Sequence, residues 1–341
     1  MTLSAIERLP VELIQPIFFQ SGPNLALPLA SHHIAAKLSD DYIYHALCTE
    51  YLTVNEHLPA EKSISQTRIF ASRWMTWDYF KSFLIKTYEG KGCLCGKTPE
   101  EGCFDAQWPP EWEDATDMVF SRSHLPELSW VKGRIPTKLL HGPWTSENIQ
   151  FLRFLLWTTS MTVDWADEEV RKTVLMGRKE AMMEKNLEVV EIFNHNRRLG
   201  KPPDLSLVRF AVIEAGCDRS IVYDTMATAR AWGVRGTDWG CAELDAWCLG
   251  NMEEGDVKGG WLKVKLEELR PTEDSPTAPT LYNFTDSSTL AGGVLNPDTG
   301  QYHGKGDDQL VINKLKWNQV SRISFLTCKS FLDNLWHRPV H

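Results

Sequence analysis

Apolar residues recur at steps of three and four along much of this chain, the spacing that lines one face of an α-helix. The first such stretch opens at Pro10, where a first helical turn tolerates proline, and Glu12 in the same turn suits the positive end of the helix dipole. Leu13, Ile14, Ile17 and Phe18 then form an apolar stripe, and Ser21-Gly22-Pro23-Asn24 ends the helix. Pro16 falls inside it and removes a backbone donor, at ~3 kcal/mol unless the helix kinks. A cluster at Leu25, Leu27 and Leu29 precedes a short amphipathic helix with Ile34, Ala35 and Leu38. Asp40 or Asp41 caps a third helix carrying Tyr42, Ile43, Leu47 and Cys48. Three short helices in about 45 residues form a small bundle, a unit that leans on a partner or a neighbouring domain.

Further along, one helix is predicted from Thr67 to Tyr88, with Ile69, Phe70, Trp74, Trp77, Phe80, Phe83 and Leu84 facing a core. Gly90 to Lys97 and the Pro-rich stretch to Pro110 read as loop. The seven acids between Glu100 and Asp117, with no base among them, read as a solvated surface. From Ser146 the rhythm repeats, with helices predicted over Glu147–Thr158, Asp167–Met176, Glu180–Asn194, Asp204–Ala215, Asp218–Trp232 and Asp238–Leu249. Acidic starts and the stops Gly216, Gly233 and Gly250 supply the capping chemistry. Such helices joined by short turns make antiparallel hairpins, and comparable segments starting near Leu152, Val189 and Ile221 lie 37 and 32 residues apart, in the period range of helical repeats. Between Arg270 and Gln309, prolines and glycines mark loops, and Asn296–Gly300 can turn a small β-hairpin near 293–303. Leu310 to Trp336 returns to helix. The expected fold is therefore mostly α, with a three-helix module over 1–50, a helical connector over 58–141 and a helical-hairpin domain over 146–341 ending in a capping helix.

Composition narrows the function classes. A chain of 341 residues, 43% hydrophobic and 24% charged, has the make-up of an ordinary globular protein of about two domains. Its 36 basic against 45 acidic residues leave a net charge of −9, which argues against a nucleic-acid partner. The most apolar run, Phe151 to Trp157, contains Arg153 and is far shorter than the ~20 residues of a membrane helix, so no membrane partner is expected. Met1 to Gln20 has no apolar core of a secretory signal, and the eight cysteines read as reduced thiols of a cytoplasmic and/or nuclear protein.

The run from Leu9 to about Cys48 resembles an F-box of the divergent form found in fungal proteins. The resemblance rests on Leu9-Pro10-x-Glu12, on Ile14, Ile17 and Phe18, on the Leu27/Leu29 cluster, and on the small-residue helix Ala30 to Ala36; Tyr42 or Tyr44 stands where the motif often closes with Trp. It implies docking of a Skp-type adaptor of a cullin–RING ubiquitin ligase onto Leu9, Pro10, Leu13, Ile14, Ile17, Phe18, Leu27, Leu29 and Ile34, with the remainder of the chain choosing a protein substrate of unknown identity. Val212 to Asp218 resembles the end of an ankyrin repeat's second helix, although Thr-Pro-Leu-His is absent, so the helical region is similar to degenerate ankyrin-like hairpins or a plain solenoid.

Candidate chemistry is sparse. Cys93-x-Cys95 with Cys103 is a local metal-like cluster, but one intervening residue is tight for zinc, and neither a metal nor a cofactor is expected. There is no Gly-x-Ser-x-Gly elbow or Walker-type loop. The 14 tryptophans leave a rival reading open: Trp157, Trp165, Trp232, Trp239 and Trp247, with Asp164, could line a pocket for a hydrophobic substrate in a cyclase- or isomerase-like enzyme. Their scatter across loops and helices favours packing instead.

Overall fold

The computed structural model describes residues 3–53, 60–91, 108–109, 112, 125–270, 294–295 and 302–303. It is mostly helical and divides into two compact units, Met1–Pro202 and Pro203–His341. The Cys93, Cys95 and Cys103 cluster, most of the acidic stretch and the predicted helix Leu310–Trp336 lie outside the described residues. Among the described residues no helix is long and apolar enough to cross a membrane.

The first unit opens with α1 (Val11–Gln20), α2 (Leu27–Ala30), α3 (His32–Lys37) and α4 (Asp41–Cys48), the last running on into a π-helical turn at Thr49–Thr53. Pro16 is accommodated inside α1 without ending it. Ser31 caps α3 by accepting from the His33 amide, and Asp40, rather than Asp41, caps α4 by accepting from Tyr42. Aromatic contacts fasten α4 to residues later in the unit: Tyr44 stacks on Trp74 at 4.2 Å, and the His45 ring meets Phe83 edge-on at 5.3 Å.

The single helix predicted over Thr67–Tyr88 is two helices, α5 (Ala60–Ala71) and α6 (Trp77–Thr87). The break is stabilised from both sides. Thr76 caps α6 by accepting from Tyr79, and the Lys138 ammonium donates to the Ser72 and Met75 carbonyls at 2.5 and 2.8 Å. The Ser72 carbonyl also accepts from the Met75 amide at 3.3 Å, so the turn between the helices is bonded internally as well as by Lys138. Phe80 and Trp77 of α6 then pack against Phe151 and Phe154 of α7 (Ser146–Thr158), with ring centroids 5.4–5.7 Å apart, making an aromatic core.

Next come α8 (Glu168–Met183) and α9 (Leu187–His195). The sequence pattern divides this region between Met176 and Glu180, but α8 runs straight through that point. The break lies instead at Glu184–Asn186, where Lys185 takes a left-handed φ of 55° and Asn186 caps α9 by accepting from Val189. Gly177, just past the predicted end at Met176, sits mid-helix, and the backbone of Leu140 passes directly over it.

The second unit contains α10 (Leu205–Ile213), α11 (Arg219–Ala231), α12 (Ala242–Glu253) and α13 (Val257–Leu269). Asp204, Asp218 and Asp256 cap α10, α11 and α13 with their side chains, as acidic N-caps do. Gly216, at φ 79°, turns the chain between α10 and α11. The helix predicted to open at Asp238 begins later. Asp238 closes a 3-10 turn over Gly236–Trp239 by accepting from the Arg235 amide, and α12 then runs past Gly250 to Glu253. Helix α13 has no predicted counterpart. It packs tightly on α12 because Gly259 admits the Cys248 carbonyl, which a Cβ there would meet at 2.7 Å. Each of the pairs α8–α9, α10–α11 and α12–α13 is joined by a short turn and packs helix on helix. Within 293–303, Val294–Leu295 and Tyr302–His303 pair antiparallel, Val294 opposite His303 and Leu295 opposite Tyr302.

Candidate functional site

The N-terminal stripe splits when the helix forms. Ile14 and Phe18, one turn apart on α1, are wholly buried, and Ile34 of α3 is buried with them. Leu13 and Ile17, also one turn apart, point the other way and are 52% and 43% exposed. Pro10 and Leu29 are exposed too, Leu29 at 81%, while Leu9 and Leu27 are half-buried. Of the nine residues the F-box resemblance assigns to docking, Ile14, Phe18 and Ile34 thus hold the module together, and Pro10, Leu13, Ile17 and Leu29 face outward. Each residue turns the helix by about 100°, so of the neighbours Leu13 and Ile14 one faces the module and the other faces out. Tyr42 is largely exposed and meets Phe19 edge-on at 6.0 Å, whereas Tyr44 is committed to Trp74.

The segment leading into α1 is tied to α3 at both ends. Ser4 and Glu7 form a reciprocal pair: the Ser4 amide donates to the Glu7 carboxylate at 2.7 Å, and the Glu7 amide donates to the Ser4 hydroxyl at 3.4 Å. This is the geometry of a capping box, on a turn closed by the Arg8 and Leu9 amides donating to the Ser4 and Ile6 carbonyls. The second Glu7 carboxylate oxygen accepts from the Ser31 hydroxyl at the start of α3. Hydrogen bonds from Ser31 and then from Ser4 hold the Glu7 carboxyl well below the usual range, at about 2. At the other end of α3 the Lys37 ammonium donates to the Glu7 and Leu9 carbonyls at 2.5 and 2.6 Å, while the Lys37 carbonyl accepts from the Gln15 side-chain Nε2 of α1 at 3.1 Å. None of Ser4, Glu7, Ser31 or Lys37 belongs to the predicted docking set. The Ser4-x-x-Glu7 spacing was the available signal.

The pocket candidates have local structural partners. Arg153 lies over the Trp157 ring at 5.6 Å, and Trp165 packs over Gly200. Asp164 accepts from the Ala166 amide and pairs with Arg134 at 3.8 Å. In the second unit Trp239 is fully buried and donates its indole N–H to the Val234 carbonyl, while Trp232 and Trp247 are half-buried on or beside separate helices. An open groove along α6, lined by Asp78, Lys81, Ser82, Ile85, Lys86, Glu89 and Trp112, includes none of these candidates. Among the described residues, no three His, Cys, Asp or Glu side chains are grouped so as to hold a metal ion. Cys48 and Cys217 are buried, which pushes their thiols far up, Cys217 to about 12, and thereby suppresses the reactive thiolate. Compared with known proteins, the chain matches no family model, no curated protein and no solved structure.

Proposed function

We propose that the chain is an F-box-type substrate adaptor of a Skp–cullin–RING ubiquitin ligase, its N-terminal module docking on the Skp-type adaptor and its ankyrin-like helical pairs receiving a protein substrate. The observation that carries this reading is the outward pair Leu13 and Ile17 on α1, exposed together with Pro10 and Leu29 while Ile14 and Phe18 of the same helix are fully buried. Apolar side chains grouped on one exposed helix face are the kind of surface that a partner's apolar groove covers. Such an adaptor works in the cytoplasm or nucleus and needs no catalytic group of its own.

The test is a pull-down of the purified chain with a purified fungal Skp-type adaptor. Wild type is expected to bind, and Ile17→Asp to abolish binding, because a charge buried without a partner in an apolar interface is strongly penalised. Equal capture of wild type and variant, or capture of neither, overturns the reading.

A further inference from the structure

We infer that Lys37 is a positioning residue for the docking face: through the Glu7 and Leu9 carbonyls it presets the path of Ser4–Pro10 and hence the start of α1. This rests on the adaptor reading above. The geometry is that of a splint. Helix α3 is a single short element, and its two ends grip the same N-terminal turn, Ser31 through the Glu7 carboxylate and Lys37 through two main-chain carbonyls. The Glu7 carboxylate is thereby shared between Ser4 within the turn and Ser31 on α3. Gln15 completes the frame by joining α1 to the last residue of α3.

A lysine suits this place. Its ammonium carries three donors and no acceptor, so it can satisfy two carbonyls at once while its stem spans from α3 to the turn. The contact is polar and main-chain-directed, whereas the apolar core of the module is made by Ile14, Phe18, Ile34 and Leu38. What it orders is the non-helical segment Ser4–Pro10 that leads into α1. Leu9 and Pro10 would otherwise have to be ordered at the moment of docking, and ordering a segment on binding is drawn from the affinity.

The experiment uses the full chain with Lys37→Met, which keeps the stem and removes the ammonium, and Lys37→Arg, which restores donors for both carbonyls. Two readouts are taken: amide hydrogen exchange at Arg8 and Leu9, and affinity for a purified fungal Skp-type adaptor by titration calorimetry. Lys37→Met is expected to keep the cooperative unfolding of the wild type, to exchange faster at Arg8 and Leu9, and to bind the adaptor about tenfold more weakly, as lost preorganisation does. Lys37→Arg is expected to recover most of both. Unchanged exchange in Lys37→Met overturns the splint. Faster exchange with undiminished affinity overturns the positioning role while leaving the adaptor reading intact. Failure of the wild type itself to bind overturns the adaptor reading and the positioning role with it.

Discussion

Gly177, in the middle of α8, lies directly beneath the carbonyl of Leu140, and a Cβ on Gly177 would stand 1.9 Å from that oxygen. The amide of Gly142, two residues beyond Leu140, donates at 2.9 Å to Glu180 of the same helix, so the 140–142 backbone is bonded to α8 as well as pressed on it. The close approach is possible only where the helix has no side chain.

Gly177→Ala is therefore expected to destabilise the chain by about 3 kcal/mol, because the obstructing atom is backbone and cannot rotate aside. Gly250, inside α12 with nothing within 4 Å of its missing Cβ, is the control. Gly250→Ala should stabilise by roughly 0.5–1 kcal/mol, since alanine has the better helix propensity. Urea denaturation of the two variants checks both signs, and similar effects from the two would contradict the close packing at Gly177.

The split of the α1 stripe makes a second contrast. Ile14→Ala should cost about 2–5 kcal/mol through lost burial and a cavity. Ile17→Ala on the exposed face should stay within about 0.5 kcal/mol of wild type. Thermal or chemical denaturation measures this without any partner present, and equal losses at the two positions would refute the assigned faces.

Stability should fall in mild acid through His45. Its ring lies against Phe83 between α4 and α6, and desolvation, then the nearby Lys86 charge, push its pKa below 6.5. Folding therefore favours the neutral ring: this contribution is fully present above pH 6.5 and is lost as the pH falls below it toward the lowered folded value. His45→Gln should show a smaller drop in melting temperature between pH 7.5 and 5.5 than wild type. Parallel drops in the two proteins would assign the acid sensitivity elsewhere.

Lys138 bridges the break between α5 and α6, and burial draws its ammonium down to about 8. Lys138→Met removes both bonds and should destabilise by about 1–3 kcal/mol at pH 7, the loss of hydrogen bonds from a charged donor. Because the folded pKa is depressed, the wild type should gain stability from this group as the pH rises from about 8 toward 10.5. The gain should be absent from Lys138→Met, and guanidinium titrations at pH 7 and 9.5 compare the two.

Helical character and many of the helix starts were legible in the order of residues alone. Asp40, Asp204 and Asp218 each cap a helix at the place read from the pattern, because an N-cap depends on one side chain and the amides two or three residues away. That order also marked the apolar positions of α1. Which of these positions face inward is set by packing, since Leu13 and Ile14 are equally apolar and the choice depends on where α3 lies. The break between α5 and α6 was hidden for the same reason: the lysine that donates to its carbonyls is 66 residues from Ser72. Gly250 reads as a helix stop and Gly177 follows a predicted helix end, yet both are helical in the fold, and the backbone pressing on Gly177 distinguishes them. The Lys37 splint was invisible because it binds main-chain carbonyls, which every residue carries and no side-chain pattern reveals.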